Sequence, residues 1–424
     1  MVRHFFLALL LFLPSILEAQ EEPEDLQFMI IEALSRNPEI TAELSKMSAA
    51  EARIPQAGAL DDAQLRFMKK EIPGFSTQQA MSTSLEFMQM VRFPTKLGVQ
   101  SRIASLQAEH AHHEHLETVV SVIRRLKSAW AALWFARTAI EINREEQDIL
   151  ENIAAVATTQ YAVGNVPQSE VLRAGIEFAR TKADAAQWSQ REATASSVLR
   201  ALLDRSPSAA IGEVSLPPLT PISVPLEDLL LFALQNRPRL VHDSLSVTET
   251  SLMVSKAKQE YLPDLSFSVE FMDFAVPPRS RWTVSAGITL PFMPWTLGKA
   301  SARVEESQAE LSRTEALFRA SKNRVIAEIH DAYARQSAAY TLAYAYEAEL
   351  VPRARQSFQT TLSEYQSGRS SYLTLMDSYK TYQNVRMAAA MARMEYAQAL
   401  ADLEFQTGVI DLSAVPTRTQ ETKQ

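Results

Sequence analysis

The sequence predicts a mainly α-helical chain with a small β part, built as a duplicated unit of helix, β-hairpin and long α-hairpin. Three observations predict it. Glycine is scarce, at 10 of 424 residues, where an average chain has roughly 7%. That disfavours Rossmann, P-loop and β-sandwich folds, which need glycine turns, and favours long helices with few connections. Landmarks recur about 200 positions apart. Short stretches of period-two alternation stand between long stretches of helical period.

Composition bounds the function. Hydrophobic residues make up 46% and charged residues 22%, the balance of a folded chain. There is no cysteine, which excludes disulfides, thiol catalysis and thiolate metal sites. A net charge of −8 gives no electrostatic ground for a nucleic-acid partner.

Residues 1–19 read as a secretory signal. Arg3 and His4 precede the apolar run 5–13, then Pro14 and Leu17-Glu18-Ala19, with cleavage expected after Ala19. An N-terminal anchor is the alternative, but the run falls short of the ~20 residues a spanning helix needs. No later segment reaches ~18 consecutive apolar residues either. Membrane residence therefore requires a β-barrel, whose alternating strands escape hydropathy scans.

Three pairs of landmarks carry the duplication. Ala33-Leu34 through Pro38 and Ile40 match Ala233-Leu234 through Pro238 and Leu240, each read as a short helix stopped by proline. Pro94-Thr95-Lys96-Leu97-Gly98 matches Pro294-Trp295-Thr296-Leu297-Gly298, and Tyr161-Ala162-Val163-Gly164 matches Tyr365-Gln366-Ser367-Gly368. Their common order and near-constant spacing divide the chain into a first repeat at 20–206, a Pro-rich extended linker at 207–225, a second repeat at 226–412 and a flexible tail at 413–424.

Within each repeat a helix precedes two strands. In 264–274, Leu265, Phe267, Val269 and Phe271 alternate with Ser266, Ser268 and Glu270. In 282–292, Trp282, Val284, Ala286, Ile288 and Leu290 alternate with Thr283, Ser285, Gly287 and Thr289. In 81–93, Met81, Leu85, Phe87, Val91 and Phe93 oppose Ser82, Ser84, Glu86 and Arg92, while Lys69 and Lys70 blur the alternation of 63–72. Each run has about the ~9–11 residues of a tilted membrane strand; a soluble hairpin packed on a helix is the alternative. Two long helices follow in each repeat, at 97–163 and 167–204, then at 299–367 and 370–406, the third interrupted only at Pro352. Val304, Leu311, Phe318, Val325, Ala332 and Ala339 keep a seven-residue step, and Val119 to Ile140 keep steps of three and four, the spacing of coiled-coil-like seams. Gly164 and Gly368 read as left-handed helix stops, and Pro167 as the opening of the next helix.

A duplicated chain with two β-hairpins, two very long α-hairpins and a signal segment resembles the TolC family of outer-membrane efflux proteins, over about residues 26–412. The paired A-L-x-x-x-P segments, the paired P-x-x-L-G junctions and the tips carry the resemblance. Tyr365-x-x-Gly368 through Leu373, Leu375 and Asp377 is the most specific tip, and Tyr161-x-x-Gly164 through Val171-Leu172 is its partner. The resemblance implies a homotrimer whose chains share one twelve-stranded barrel in outer-membrane lipid, continued by a long periplasmic α-helical barrel. It implies a passive exit duct of a tripartite efflux or export system, reached through a periplasmic adaptor (membrane fusion protein) from an inner-membrane pump of RND type. It implies no cofactor.

Several residues become candidates through it. The family narrows its lumen with carboxylates near the second tip; Asp377 matches one position and Thr374 occupies the other. Gly164, Asn165, Val166, Gly368, Arg369 and Ser370 are the candidate adaptor contacts. His110, His112, His113 and His115 are four of the seven histidines; their i, i+3 pairs could share a metal, or simply form a solvated surface. Met88 and Met90 fall on the polar parity of their strand, as contacts for soft ions or as filler. Trp282 and Trp295 could anchor a barrel at the interface, or be ordinary core. These residues and the short chain suggest the heavy-metal efflux subgroup, with drugs as the other cargo class. No catalytic constellation is present: His113-Glu114-His115 is not H-E-x-x-H, and nucleophile elbows and phosphate loops are missing. The rival reading is a periplasmic coiled-coil scaffold or adaptor, which would bury the Trp282–Leu290 face under its own helices where a channel would expose it.

Overall fold

The computed structural model describes residues 25–70, 82–272, 281–291, 293–412 and 415. The expected signal segment, the outer ends of three strands and nearly all of the tail lie outside these residues. The first repeat comprises α1 (Leu26–Arg36), α2 (Pro38–Glu51), α3 (Arg53–Gly58), β1 (Gln64–Lys70), β2 (Ser82–Val91), α4 (Pro94–Ala162) and α5 (Gln168–Leu202). The second comprises α6 (Leu226–Asn236), α7 (Pro238–Gln259), β3 (Leu265–Met272), β4 (Arg281–Ile288), α8 (Pro294–Ala345), α9 (Val351–Gln366) and α10 (Tyr372–Thr407). No described helix is long and apolar enough to cross a membrane.

Proline opens helices here more than it stops them. Pro38 and Pro238 end α1 and α6 but start α2 and α7, so each β-hairpin is preceded by several helices where the sequence suggested one. A first-turn proline has no intrahelical N–H to lose. Asn37 caps α2 by accepting from the Glu39 and Ile40 amides at 2.9 and 3.3 Å. Pro94 and Pro294 likewise place the starts of α4 and α8 earlier than expected. Pro167 sits one position outside α5, as its N-cap. Pro352 does not break its helix. A π-turn at Tyr346–Leu350 resets the ladder so that Pro352 falls in the first turn of α9, where its missing N–H and bulky ring are harmless.

With 69 residues, α4 runs about 100 Å. Both tips close with one device. Gly164 and Gly368 take φ of 78° and 74°. The Gly164 and Asn165 amides bond the carbonyls of Tyr161 and Gln160 at 3.0 and 2.9 Å, and those of Gly368 and Arg369 repeat this with Tyr365 and Glu364 at 3.0 and 2.8 Å. That pair of hydrogen bonds around a left-handed glycine is the Schellman stop, and both tips make it with the same spacing.

The four strands form one antiparallel sheet in the order β1-β2-β3-β4. The pairing of β2 with β3 and the packing of α4 on α7 join the two repeats. Asp264 locks this joint, its Oδ1 accepting from the Phe93 amide and from Lys96 Nζ, both at 2.9 Å.

The largest core lies where α1, α4, α5 and the linker meet. Trp130, Leu126, Leu133, Leu199, Leu203 and Met29 are fully buried there. The stretch 207–225 has no helix before Pro225 and is packed: Ile211, Val214 and Val224 are buried, and Trp130 Nε1 donates to the Ser215 carbonyl at 2.8 Å. Tyr396 donates to the Thr220 carbonyl at 2.7 Å. Both heptad tracks are buried or half-buried along their length, as seams between helices require.

One buried pair makes stability pH-dependent. Lys127 Nζ lies 2.6 Å from Glu404 Oε2. Burial nevertheless pushes the Glu404 carboxyl from 4.5 to about 7, with Lys127 opposing the rise. The folded chain therefore holds a proton that the unfolded chain releases. This contribution is complete below about pH 4.5 and is lost as pH rises through about 7, on the order of 3 kcal/mol in total. Thermal midpoints of the purified chain should fall across that window, and Glu404→Gln should flatten the fall. A wild-type midpoint independent of pH there would contradict the assignment.

Candidate functional site

The sheet is two-faced in the register the alternation predicts. Four rows of paired residues cross it on one face. They are Phe67, Leu85, Phe271 and Trp282; then Leu65, Phe87, Val269 and Val284; then Gln89, Phe267 and Ala286; then Val91, Leu265 and Ile288. β4 is exposed along its whole length, Val284 at 77% and Trp282 at 70%. Among the described residues no helix covers that strand, against the scaffold reading. Trp282 stacks on Phe271, ring centroids 4.5 Å apart. Trp295 is 80% exposed at the start of α8. Gln89, the polar exception in the rows, donates to the Asp61 carbonyl at 2.7 Å near the helical end of the sheet. Lys69 shares the apolar face but pairs with Thr83, at the end away from the helices, where a long cation can reach water.

The opposite face is polar. Arg66 and Glu86 pair across strands at 3.2 Å, and Ser268, Glu270, Thr283 and Ser285 share their face. Met88 and Met90 belong to it, as expected. Register adds Met68 and Met272, both opposite Ser84. Those two were missed because the β1 alternation is masked by its lysines and Met272 ends its strand.

At the second tip Tyr365, Tyr372, Leu375, Met376 and Tyr379 are buried in a cluster with Leu150 and Ile153 of α4 and Ala174 of α5. Burial pushes the Tyr372 phenol up to about 12. Asp377 and Thr374 are exposed together on α10, one turn apart, and Asp377 has no ion-pair partner among the described residues. Thr374 belongs to the helix cap, its amide donating to Ser371 Oγ at 3.2 Å. Ion pairs fasten the second hairpin to the first, among them Lys380 to Glu177 and Arg386 to Glu145, each 2.6 Å. Pairs so distant in sequence leave no local signal. The six candidate contact residues sit in the two tip loops, Gly164, Asn165, Gly368 and Arg369 exposed, Val166 and Ser370 half-buried. The tips are unequal: Tyr365 is 4% exposed and Tyr161 46%, so the matched tyrosines do different work.

The four histidines of α4 do not all face one way. Among the described residues no three His, Asp or Glu side chains are arranged to hold an ion. A helix cannot turn positions 110, 112, 113 and 115 toward one point. His112 is exposed, while His110 packs against His242 of α7, their rings 4.4 Å apart. Burial and then its imidazole neighbours push the His113 pKa down.

Residues 229–409 match the model of the outer membrane efflux protein family. The cobalt-zinc-cadmium resistance protein CzcC of Cupriavidus metallidurans is 21% identical over 374 residues, covering 86% of this chain and 85% of CzcC. Among solved structures, the outer-membrane channel OprN superposes with a TM-score of 0.77 at 19% identity, over 90% of this chain and 89% of that one. The CmeC outer membrane channel of Campylobacter jejuni superposes with a TM-score of 0.76 at 16% identity, over 94% and 89%.

Proposed function

We propose, from the match of residues 229–409 to the outer membrane efflux protein family and the likeness to CzcC, that this chain is a member of that family and that three copies close their sheets into one twelve-stranded barrel. The chain is an outer-membrane channel subunit of a tripartite efflux system, with its helices extending into the periplasm. The family is one of channels, not enzymes, and its partners are an adaptor and an inner-membrane pump. The observation that carries the proposal is the apolar face spanning all four strands, bounded by two edge strands, β1 and β4, each with one neighbour. A bilayer leaves unpaired edges unsatisfied, and closure with further copies removes them.

The remaining assignments follow from this reading. Repeats at 20–206 and 226–412 each supply one hairpin of strands and one of helices, joined by the linker at 207–225. The pump is of RND type, and the duct is passive. The exposed loops around Gly164, Asn165 and Val166 and around Gly368, Arg369 and Ser370 are the adaptor contacts. The cargo is a divalent transition-metal cation, as the name of the relative CzcC indicates for that protein. The aperture is set by Asp377, exposed and unpaired near the second tip, with Thr374 one turn away.

Three copies of Asp377 make a ring of fixed negative charge, and such rings favour cations. In planar bilayers under a salt gradient, Asp377→Ala should lower the cation-over-anion permeability ratio by ~2-fold or more. Thr374→Asp, which adds a second ring, should raise it. Equal ratios in wild type and Asp377→Ala would move the constriction elsewhere.

A further inference from the structure

Between α4, α5 and α10 the two long hairpins border a cavity of about 420 Å3, and its α10 wall, from Tyr379 to Met387, begins just past Asp377. Its ends differ in chemistry. Away from the tip, Ile142, Trp188 and Met387 belong to one apolar cluster with Phe135. Toward the tip lie Glu146, Tyr379 and Gln383. Gln383 is 7% exposed, yet neither its amide nitrogen nor its amide oxygen has a hydrogen-bond partner among the described residues. The hydroxyl of Tyr379, 2% exposed, has none either. Buried polar groups left this way cost stability. Asn143 beside them is satisfied, donating to the Thr181 carbonyl at 3.1 Å and accepting from Gln147 at 2.9 Å. Of the two cations in the lining, Lys380 is held by Glu177 at 2.6 Å and Arg180 is exposed at the rim. Burial raises the Glu146 carboxyl above its ordinary range, and Asp184 and Glu177 add to the rise against the opposing Tyr379 and Thr181.

We propose that this cavity binds a small organic cation with an apolar body and a head carrying N–H donors, such as an arylalkyl ammonium or an amidinium. The N–H head donates to the Glu146 carboxylate, the Gln383 amide oxygen and the Tyr379 hydroxyl, all of which can accept. The body lies against Ile142, Trp188 and Met387. The volume falls within the range of about 300–1,000 Å3 usual for small-molecule sites, and the lining has their pattern of apolar wall and few convergent polar groups. A metal ion does not fit. Among the described residues no three His, Asp or Glu side chains are gathered to hold one, and an inorganic ion would leave the apolar end unfilled. An occupant would bridge α4 and α5 of the first hairpin to α10 of the second, beside the pair of Lys380 and Glu177. It would stiffen the joint directly behind Asp377. One chain supplies every wall, so the site does not depend on closure of a barrel or on the cargo assigned above.

The test titrates the full chain, purified in detergent, with benzamidine by calorimetry, and with benzamide as its neutral isostere. Saturable binding of one benzamidine per chain is expected, with benzamide weaker by about tenfold or more, the loss of a charge-assisted hydrogen bond. Glu146→Gln should weaken benzamidine binding by a similar factor. Gln383→Glu, which adds an acid at the head, should strengthen it, a gain that a merely structural role would not produce. Glu151→Gln, an exposed acid on the same helix, should leave it unchanged. Circular dichroism identifies any variant that fails to fold; Glu146→Gln keeps the side-chain shape and removes a half-buried charge. No saturable binding to wild type would overturn the proposal. So would equal binding of benzamide, or a loss in Glu151→Gln as large as that in Glu146→Gln, which would assign the cation to the general acidic surface.

Discussion

Ala286→Arg prevents assembly of the chain in the outer membrane. Ala286 pairs with Phe267 in the apolar rows and is exposed on β4. An arginine facing lipid costs ~2–4 kcal/mol at mid-bilayer, and the cost recurs in every copy of the proposed barrel. The variant should yield no heat-resistant oligomer in the outer-membrane fraction. Ser285→Arg is the control: Ser285 pairs with Ser268 on the polar face, and its variant should assemble. Normal assembly of Ala286→Arg beside failure of Ser285→Arg would invert the face assignment.

Trp130→Ala should unfold the region between sheet and tips. The side chain is 1% exposed in the core shared by α1, α4, α5 and the linker. Truncating a buried tryptophan costs about 3–5 kcal/mol. Losing its indole donor strands the Ser215 carbonyl, adding roughly 1–3 kcal/mol where no water reaches it. A domain stable by only ~5–15 kcal/mol cannot absorb much of that. The expected result is proteolysis of the chain in cells and a sharply lowered thermal midpoint of what is recovered. Trp295→Ala, at an 80% exposed position, should change the midpoint little. Similar midpoints for both variants would mean that the core described around Trp130 does not hold these elements together.

Local chemistry was legible wherever one residue type forces one backbone state. Positive φ at Gly164 and Gly368 was readable because left-handed helix ends favour glycine. Strand faces were readable because side chains alternate strictly. Helix phase was readable because Val304 through Ala339 repeat every seventh residue. Proline misled in both directions. It ends one helix and starts the next, and the sequence alone does not say that Pro38 restarts what it stopped or that a π-turn carries the chain past Pro352.

Tertiary encounters were illegible. Lys380 meets Glu177, Arg386 meets Glu145 and His110 meets His242 across separations that no periodicity encodes. The histidine cluster shows the consequence. Four histidines close in sequence suggested i, i+3 pairs that could share a metal, or a solvated surface, and nothing local said that His110 packs on His242 of α7. Asp377 was found by resemblance to a family pattern. Its exposure, with no ion-pair partner among the described residues, was not predictable from its sequence neighbours.

The central claim is that this chain forms a water-filled duct through a bilayer. Planar-bilayer recording of the purified chain tests it most directly. The account predicts discrete conductance steps, scaling with the third power of chain concentration where assembly limits insertion, and a preference for cations. A folded chain, helical by circular dichroism, that produces no steps and is released from cells by osmotic shock would contradict the account and return the sheet to a soluble periplasmic role.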